Sequence, residues 1–460
     1  MSDNKPSLLE AKDSSHSADA ALALESLKKV VTSVYGDELW TAIKTGIAVI
    51  RSLSFKDLAH PITLLYEGGS GRGKSTIINI LIPDREETKK FVYRLDKFTP
   101  ASFVSHAAKV SKEDIKKIDL LPQLADKVLL VKELAPLFTG REDQLRENFG
   151  ILTAVLDGKG YITASGVHGK RGYEGRCVFN WLGATTPVPR RTDEIMAQLG
   201  NRILRYEIVG KEQSEEELVE FAGNFAPATE EETCRKAAND FLAAHFASSP
   251  LGTVDPDAIE VPRGLLVELV RLAMLIADGR VEVSQGLRGN GSSDVEDEFS
   301  SGLPEGPHRI ILYLRTIAQG LALVNGRSQV SREDLDIIRH VAFSTITQTR
   351  REMLRAVLLA GGVLSATNAE RMLGVSRPTA RWRMKELAAT GIVRWVAGNG
   401  NAAESIRLAD KWAWLLPAEG SLEETEAEAI PEAAEHKCPG GCIEPTAVND
   451  LPLCVRPSFS

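Results

Sequence analysis

ITLLYEGGSGRGKSTIINILI, residues 62–82, decides how the rest of the chain is read. An apolar run, a glycine-rich turn and a second apolar run predict a strand, a loop and a helix in immediate succession. Gly68, Gly73, Lys74 and Ser75 satisfy the spacing G-x-x-x-x-G-K-[ST]. Across Gly68, Gly69, Ser70, Gly71, Arg72 and Gly73 the missing side chains let successive N–H groups turn inward around an anion. The helix that follows adds its positive end. A loop of this kind is expected to cradle the phosphates of a nucleoside triphosphate, here ATP. Lys74 would reach the β- and γ-phosphates, the Ser75 hydroxyl would ligate Mg2+, and Thr76 is the last of the expected nucleotide-binding positions.

Outward from this motif, VLLV (128–131) and CVFNWLGA (177–184) are further short apolar runs separated by helical stretches. That alternation predicts an α/β fold, a mostly parallel sheet over 61–212. Upstream, apolar residues recur at helical spacing over 21–60, and Tyr35-Gly36-Asp37 predicts a break between two helices. Residues 1–20 are polar, without apolar periodicity, and are expected to be disordered. Downstream, 213–348 reads as a helical lid interrupted by a loop at 286–307, and 349–416 as a small separate domain. The acidic tail, 417–460, is expected to be disordered.

The 460 residues carry a net charge of −8, so there is no global attraction to nucleic acid, and any such contact needs a local basic patch. No apolar run approaches the roughly 20 residues that span a bilayer. The polar N-terminus lacks a secretory core, so a cytoplasmic, membrane-free protein is expected. Five cysteines, unevenly placed, do not form a disulfide framework. His436, Cys438, Cys442 and Cys454 have zinc-like ingredients but loose spacing, and reduced thiols are the preferred reading.

Hydrolysis needs a carboxylate at a neighbouring strand end. Glu133 follows VLLV directly and is the candidate, as the catalytic carboxylate or as a second metal ligand, though hardly as both at once; the alternative is a strand-end salt bridge. Lys132 stands where a further acid would be expected, so one carboxylate must serve alone. Thr185 and Thr186 end the next strand, where ligands of α/β folds sit, and Thr186 is placed to position water. Arg202 and Arg205 flank a short strand, and Arg202 is the candidate arginine finger toward a neighbouring subunit.

In this order the pieces resemble the AAA+ ATPases. LTAVLDGKGYITASGVHGKRGYEGRCVFNWLGATTP (152–187) is similar to the helix, hairpin and sensor strand of the branch holding minichromosome-maintenance helicases and magnesium chelatases. EGPHRIILYLRTIAQGLALVNGRSQVSREDLDII (305–338) resembles that branch's lid, in which an arginine senses the γ-phosphate; Arg309 is the matching position. LDKFTPASFVSHA and IDLLPQLADKVLLVKELAPLF resemble bacterial P-loop proteins described only as ATP-binding. The resemblance covers roughly 60–348. It implies self-association into a ring, a hexamer in this family, with ATP between subunits.

Two stretches point to DNA. GVHGKRGYEGR has the glycines of a hairpin tip with Lys170, Arg171 and the aromatic Tyr173, suited to phosphates and stacking. The alternative is a solvated surface hairpin. Residues 349–416 resemble a winged helix-turn-helix domain: a first helix, a helix, a turn at Gly374, a second helix capped by Ser376, and a two-stranded wing. The recognition helix, 377–389, offers Arg377, Thr379, Arg381, Arg383 and Lys385, and the wing offers Arg394. Over 377–394 those five basic residues stand against Glu386 alone, a local charge of +4. Winged helices also serve as protein-binding modules. Three readings therefore stand: an ATPase acting on DNA, which is preferred; a nucleotide-switched DNA-binding regulator with weak hydrolysis; and a protein-remodelling motor.

Overall fold

The computed structural model describes residues 8–105, 112–165, 169–210, 214–223, 227–288, 296–398 and 403–416. The tail cysteines, His436 and residues 166–168 of the hairpin tip lie outside the described residues. The chain divides into a large unit, Met1–Ala413, and a second unit, Trp414–Ser460; the architecture below is that of the large unit.

Its centre is a five-stranded sheet in the order β2-β3-β6-β1-β7, formed by β1 (Thr63–Glu67), β2 (Val92–Leu95), β3 (Val128–Val131), β6 (Asn180–Thr185) and β7 (Ile203–Glu207). Every pairing is parallel, as expected of strands separated by helices. β1, β3 and β6 are buried along their whole length, which explains why they read as unbroken apolar runs rather than alternating ones. The α/β fold with a parallel core is therefore present, of a kind compatible with a phosphate-loop protein.

One face of the sheet packs on a cluster around Leu65, Phe103, Leu129, Phe149 and Trp181. Another side is covered by the helical segment Leu8–Arg51, which breaks at Gly36 (φ 76°), as the Tyr-Gly-Asp signal predicts. Tyr66 of β1 donates to the Ala42 carbonyl at 3.0 Å, tying that helix to the strand before the loop. Helix begins at Leu8, so residues 8–20, expected to be disordered, are helical.

Between β3 and β6 lies the antiparallel hairpin of β4 (Gly160–Ser165) and β5 (Gly169–Glu174). After residue 213 the chain is mainly helical, but not wholly. β8 (Val283–Arg288) and β9 (Glu296–Ser301) pair antiparallel, β9 and the second half of β8 falling in the segment 286–307 expected to be a loop. Gly, Ser and Asp crowd that stretch and mask the alternation that would have announced two strands.

The C-terminal part contains the helices Gln348–Leu359, Ala366–Leu373 and Arg377–Ala389. They pack with an antiparallel sheet in the order β10-β12-β11, formed by β10 (Val363–Ser365), β11 (Val393–Val396) and β12 (Ser405–Leu408). β10 is too short for its pattern to be read from sequence. Gly374 is left-handed (φ 61°), and Ser376 accepts from the Thr379 N–H at 3.4 Å, matching the turn and cap expected there. Among the described residues, no helix is long and apolar enough to cross a membrane.

Candidate phosphate-binding site

The glycine loop leaves β1 at its carboxyl end and enters the helix Lys74–Ile80. Gly71 and Gly73 hold φ of 78° and 82°, the left-handed region that glycine adopts without strain. Gly68 has a second reason to lack a side chain: a Cβ there would lie 2.6 Å from the Ile208 carbonyl. At Gly73 a Cβ would meet the Leu39 side chain at 2.9 Å, so the N-terminal helix also shapes the loop. Gly69, Ser70, Arg72 and Ser75 are exposed along the loop, and Thr76 is half-buried behind Ser75. Arg72 lies against Gly210.

Lys74 is buried, and its Nζ donates to the Gly69 carbonyl at 2.5 Å, folding the side chain back over the loop. Burial pulls its ammonium below the usual lysine range, while the charge of Glu133 pushes it back up. Glu133 is exposed just past β3, and its Oε1 accepts from the Ala135 N–H at 2.8 Å. β6 lies between β3 and β1, so the Glu133 end, Thr185 and the loop stand side by side along one sheet edge. The two threonines differ. Thr185 is buried and donates to the Thr186 carbonyl at 2.9 Å, whereas Thr186 is exposed.

Arg202 and Arg309 stand elsewhere. Arg202 precedes Ile203, which pairs with Thr63, the first residue of β1, whereas the loop follows Glu67, the last. A strand of this length puts roughly 13 Å between the two ends. Arg202 donates to Asp157 at 3.0 Å and to the Gly200 carbonyl at 2.8 Å. Arg309 lies 3.4 Å from the same Asp157 oxygen. The adjoining Gly158 abuts Pro61 and Val178, which precede β1 and β6. Both arginines thus sit at the amino end of the sheet, away from this chain's own loop. Arg309 is not placed to sense a γ-phosphate held there. Asp157 gave no signal in sequence, since LDGKGY reads as a turn.

Behind the loop lies a buried charge network that sequence reading missed. Glu67, the residue before Gly68, is 1% exposed. Its Oε1 accepts from the Val188 N–H at 2.9 Å and lies 3.7 Å from Arg205, and its Oε2 lies 3.6 Å from Arg351. Arg205 also pairs with buried Asp193, whose carboxyl is pushed up by desolvation and drawn back by the Arg205 charge. Arg351 reaches Glu207 at 2.7 Å. The network links the root of the loop, the end of β7 and the helix Gln348–Leu359. Removing one member of such a pair strands a buried charge, typically at a cost of about 3–5 kcal/mol. Glu67 was hidden inside an apolar strand, and RREMLR read simply as a helix start.

At the β4–β5 hairpin, Lys170 is exposed and pairs with Glu174 at 3.0 Å. Tyr173 donates to Asp119 at 2.8 Å. The aromatic expected to offer a stacking face is therefore anchored to the body of the domain. On the helix Arg377–Ala389, Arg377 and Thr379 are exposed. Arg381 pairs with Glu404 at 2.7 Å. Arg383 is half-buried against Glu352 at 2.9 Å, so it braces the helix instead of facing out. Lys385 lies 5.9 Å from the Trp395 ring centre, and Arg394 pairs with Asp410 at 3.0 Å.

Among the described residues no three metal-ligating side chains gather. Magnesium beside a triphosphate keeps several waters and takes only one or two protein oxygens. Ser75 and Glu133 supply hard oxygen donors at the same edge, so the donor set fits. No family model and no curated protein matches this chain, so the residues themselves carry the functional argument.

Proposed function

We propose that this chain is a magnesium-dependent ATPase of the AAA+ type that acts on DNA as a self-associated assembly. The observation that carries the reading is the loop 68–75, seated between a buried parallel strand and a helix start, with Lys74, Glu133 and Thr186 on the same sheet edge. Backbone N–H groups of the loop bind the phosphate oxygens, and Lys74 neutralises charge on the terminal phosphoryl group. Ser75 and Glu133 would hold magnesium, which supplies charge neutralisation across the β- and γ-phosphates. Glu133 orients the attacking water and takes its proton, and Thr186 fixes the water from the other side.

Arg202 and Arg309 act in trans in this reading. Both stand at the far end of the sheet on a shared carboxylate, where only a neighbouring copy's nucleotide could meet them. The DNA assignment rests on the C-terminal module, read as a winged helix with Arg377, Thr379 and Arg381 on the recognition helix and Arg394 on the wing. Steady-state ATP hydrolysis with and without DNA, beside Lys74→Ala, tests the whole reading. A rate raised by DNA and lost in the variant is expected; a rate indifferent to every nucleic acid would favour a protein-remodelling motor.

One observation favours a second reading. Lys132 precedes Glu133, so the site has one acid where two would serve hydrolysis better. A slow ATPase whose nucleotide state sets operator binding would follow. A DNA footprint that is the same with ATP, ADP or no nucleotide would remove it.

A further inference from the structure

The helix Arg377–Ala389 buries Ala380, Met384 and Leu387 completely within its own module. At 100° per residue, Trp382, Lys385 and Glu386 lie on the side away from that core, the side a recognition helix presents to a groove. In this chain much of that side is already occupied. The Trp382 ring meets Phe299 of β9 edge-on, 5.6 Å between centres, and its Nε1 donates to Gln285 of β8 at 3.3 Å. The Arg190 guanidinium covers the same ring at 4.3 Å. Glu386, 2% exposed, accepts from Arg350 at 3.1 Å and lies 3.8 Å from Arg190. Arg350 in turn donates to the carbonyls of Gly279 and Val281, at the foot of the β8–β9 hairpin.

The seam combines charged groups with apolar ones. Beside it opens a pocket of about 80 Å³ lined by Val188, Val281, Arg190, Asp193, Arg350 and Glu386. One oxygen of Glu386 is buried there without a partner. A space of that size holds a few waters. A contact made of charges, one aromatic pair and water separates at lower cost than a sealed apolar core.

We propose that the β8–β9 hairpin is an autoinhibitory clamp, holding the recognition helix in a state that excludes DNA until the C-terminal module swings away. This rests on the reading of that module as a DNA-binding winged helix. A protein whose binding-competent state is a minor fraction shows an apparent affinity reduced by that fraction.

The test uses the full chain with Phe299→Ala and Gln285→Ala combined. Both positions lie on the hairpin, and neither is assigned to the phosphate loop or to DNA contact. Hydrogen–deuterium exchange over 377–389 reports release of the helix, and fluorescence anisotropy with a labelled mixed-sequence duplex reports DNA affinity. Faster exchange with affinity raised about tenfold is expected, the gain when the open fraction rises from about a tenth to near one. Adding Arg377→Glu should cancel that gain. Faster exchange with unchanged affinity, where the wild type binds and Arg377→Glu weakens it, overturns the clamp and leaves the DNA reading intact. Faster exchange with no DNA binding by any variant overturns both. Unchanged exchange shows that the hairpin does not hold the helix, and also overturns the clamp.

Discussion

The two ends of the central sheet are built in different ways. At the carboxyl end, the segments after β1, β3 and β6 bring the glycine loop, Glu133 and Thr186 to one edge. Each is continuous in sequence with a buried strand, so parallel pairing alone aligns them. At the amino end, Arg202, Asp157 and Arg309 come from three separate places, and one carboxylate, Asp157, pairs with both cations. The first end is assembled by local chain order; the second is a positive group set against a surface. On the proposed reading, such a split site would bind within one chain and use the arginines between chains.

The sharpest way to break this comparison is at the carboxyl end. Lys74→Ala should abolish turnover, a loss above about 10³-fold, with nucleotide binding measured by calorimetry failing alongside. Glu133→Gln should lower turnover by about 10³-fold while binding persists. Normal hydrolysis by that variant would mean another group activates water.

The amino end gives a smaller and more diagnostic effect. Arg202→Ala should cost about 10²-fold, less than the ~10³ or more that a lone arginine finger supplies, because Arg309 stands beside it. Mixing Arg202→Ala with Lys74→Ala should restore part of the rate, since each copy carries what the other lacks. No recovery on mixing, in samples shown to associate by light scattering, would return both arginines to a structural role on Asp157. The smallest effect separates two neighbouring glycines. Gly68→Ala forces a Cβ onto the Ile208 carbonyl and should weaken nucleotide binding about tenfold, at a strain of about 1–3 kcal/mol. Gly69→Ala meets only the Arg72 side chain, at 3.7 Å, and should stay within about twofold of wild type.

What was legible follows from the range of each signal. The strand–loop–helix at 62–82, the break at Gly36, and the turn and cap at Gly374 and Ser376 are decided by a few adjacent residues, and the structure has them where local chemistry put them. The β8–β9 hairpin was missed because its stretch is rich in turn-forming residues, and its strands pair with each other across a sequence gap longer than a tight turn. Tyr173 and Arg383 were assigned outward roles because sequence shows a side chain's type and not its direction.

The sequence by itself determined that this chain places a glycine loop between a strand and a helix of a parallel sheet, because glycine spacing and apolar period act over a handful of residues. Only the tertiary structure decided that Arg202 and Arg309 share Asp157, that Glu67 is tied to Arg351, and that Trp382 lies against Phe299. Those partners are separated by tens to hundreds of positions. Which charge meets which, once buried, depends on how the layers stack, and no local pattern encodes that.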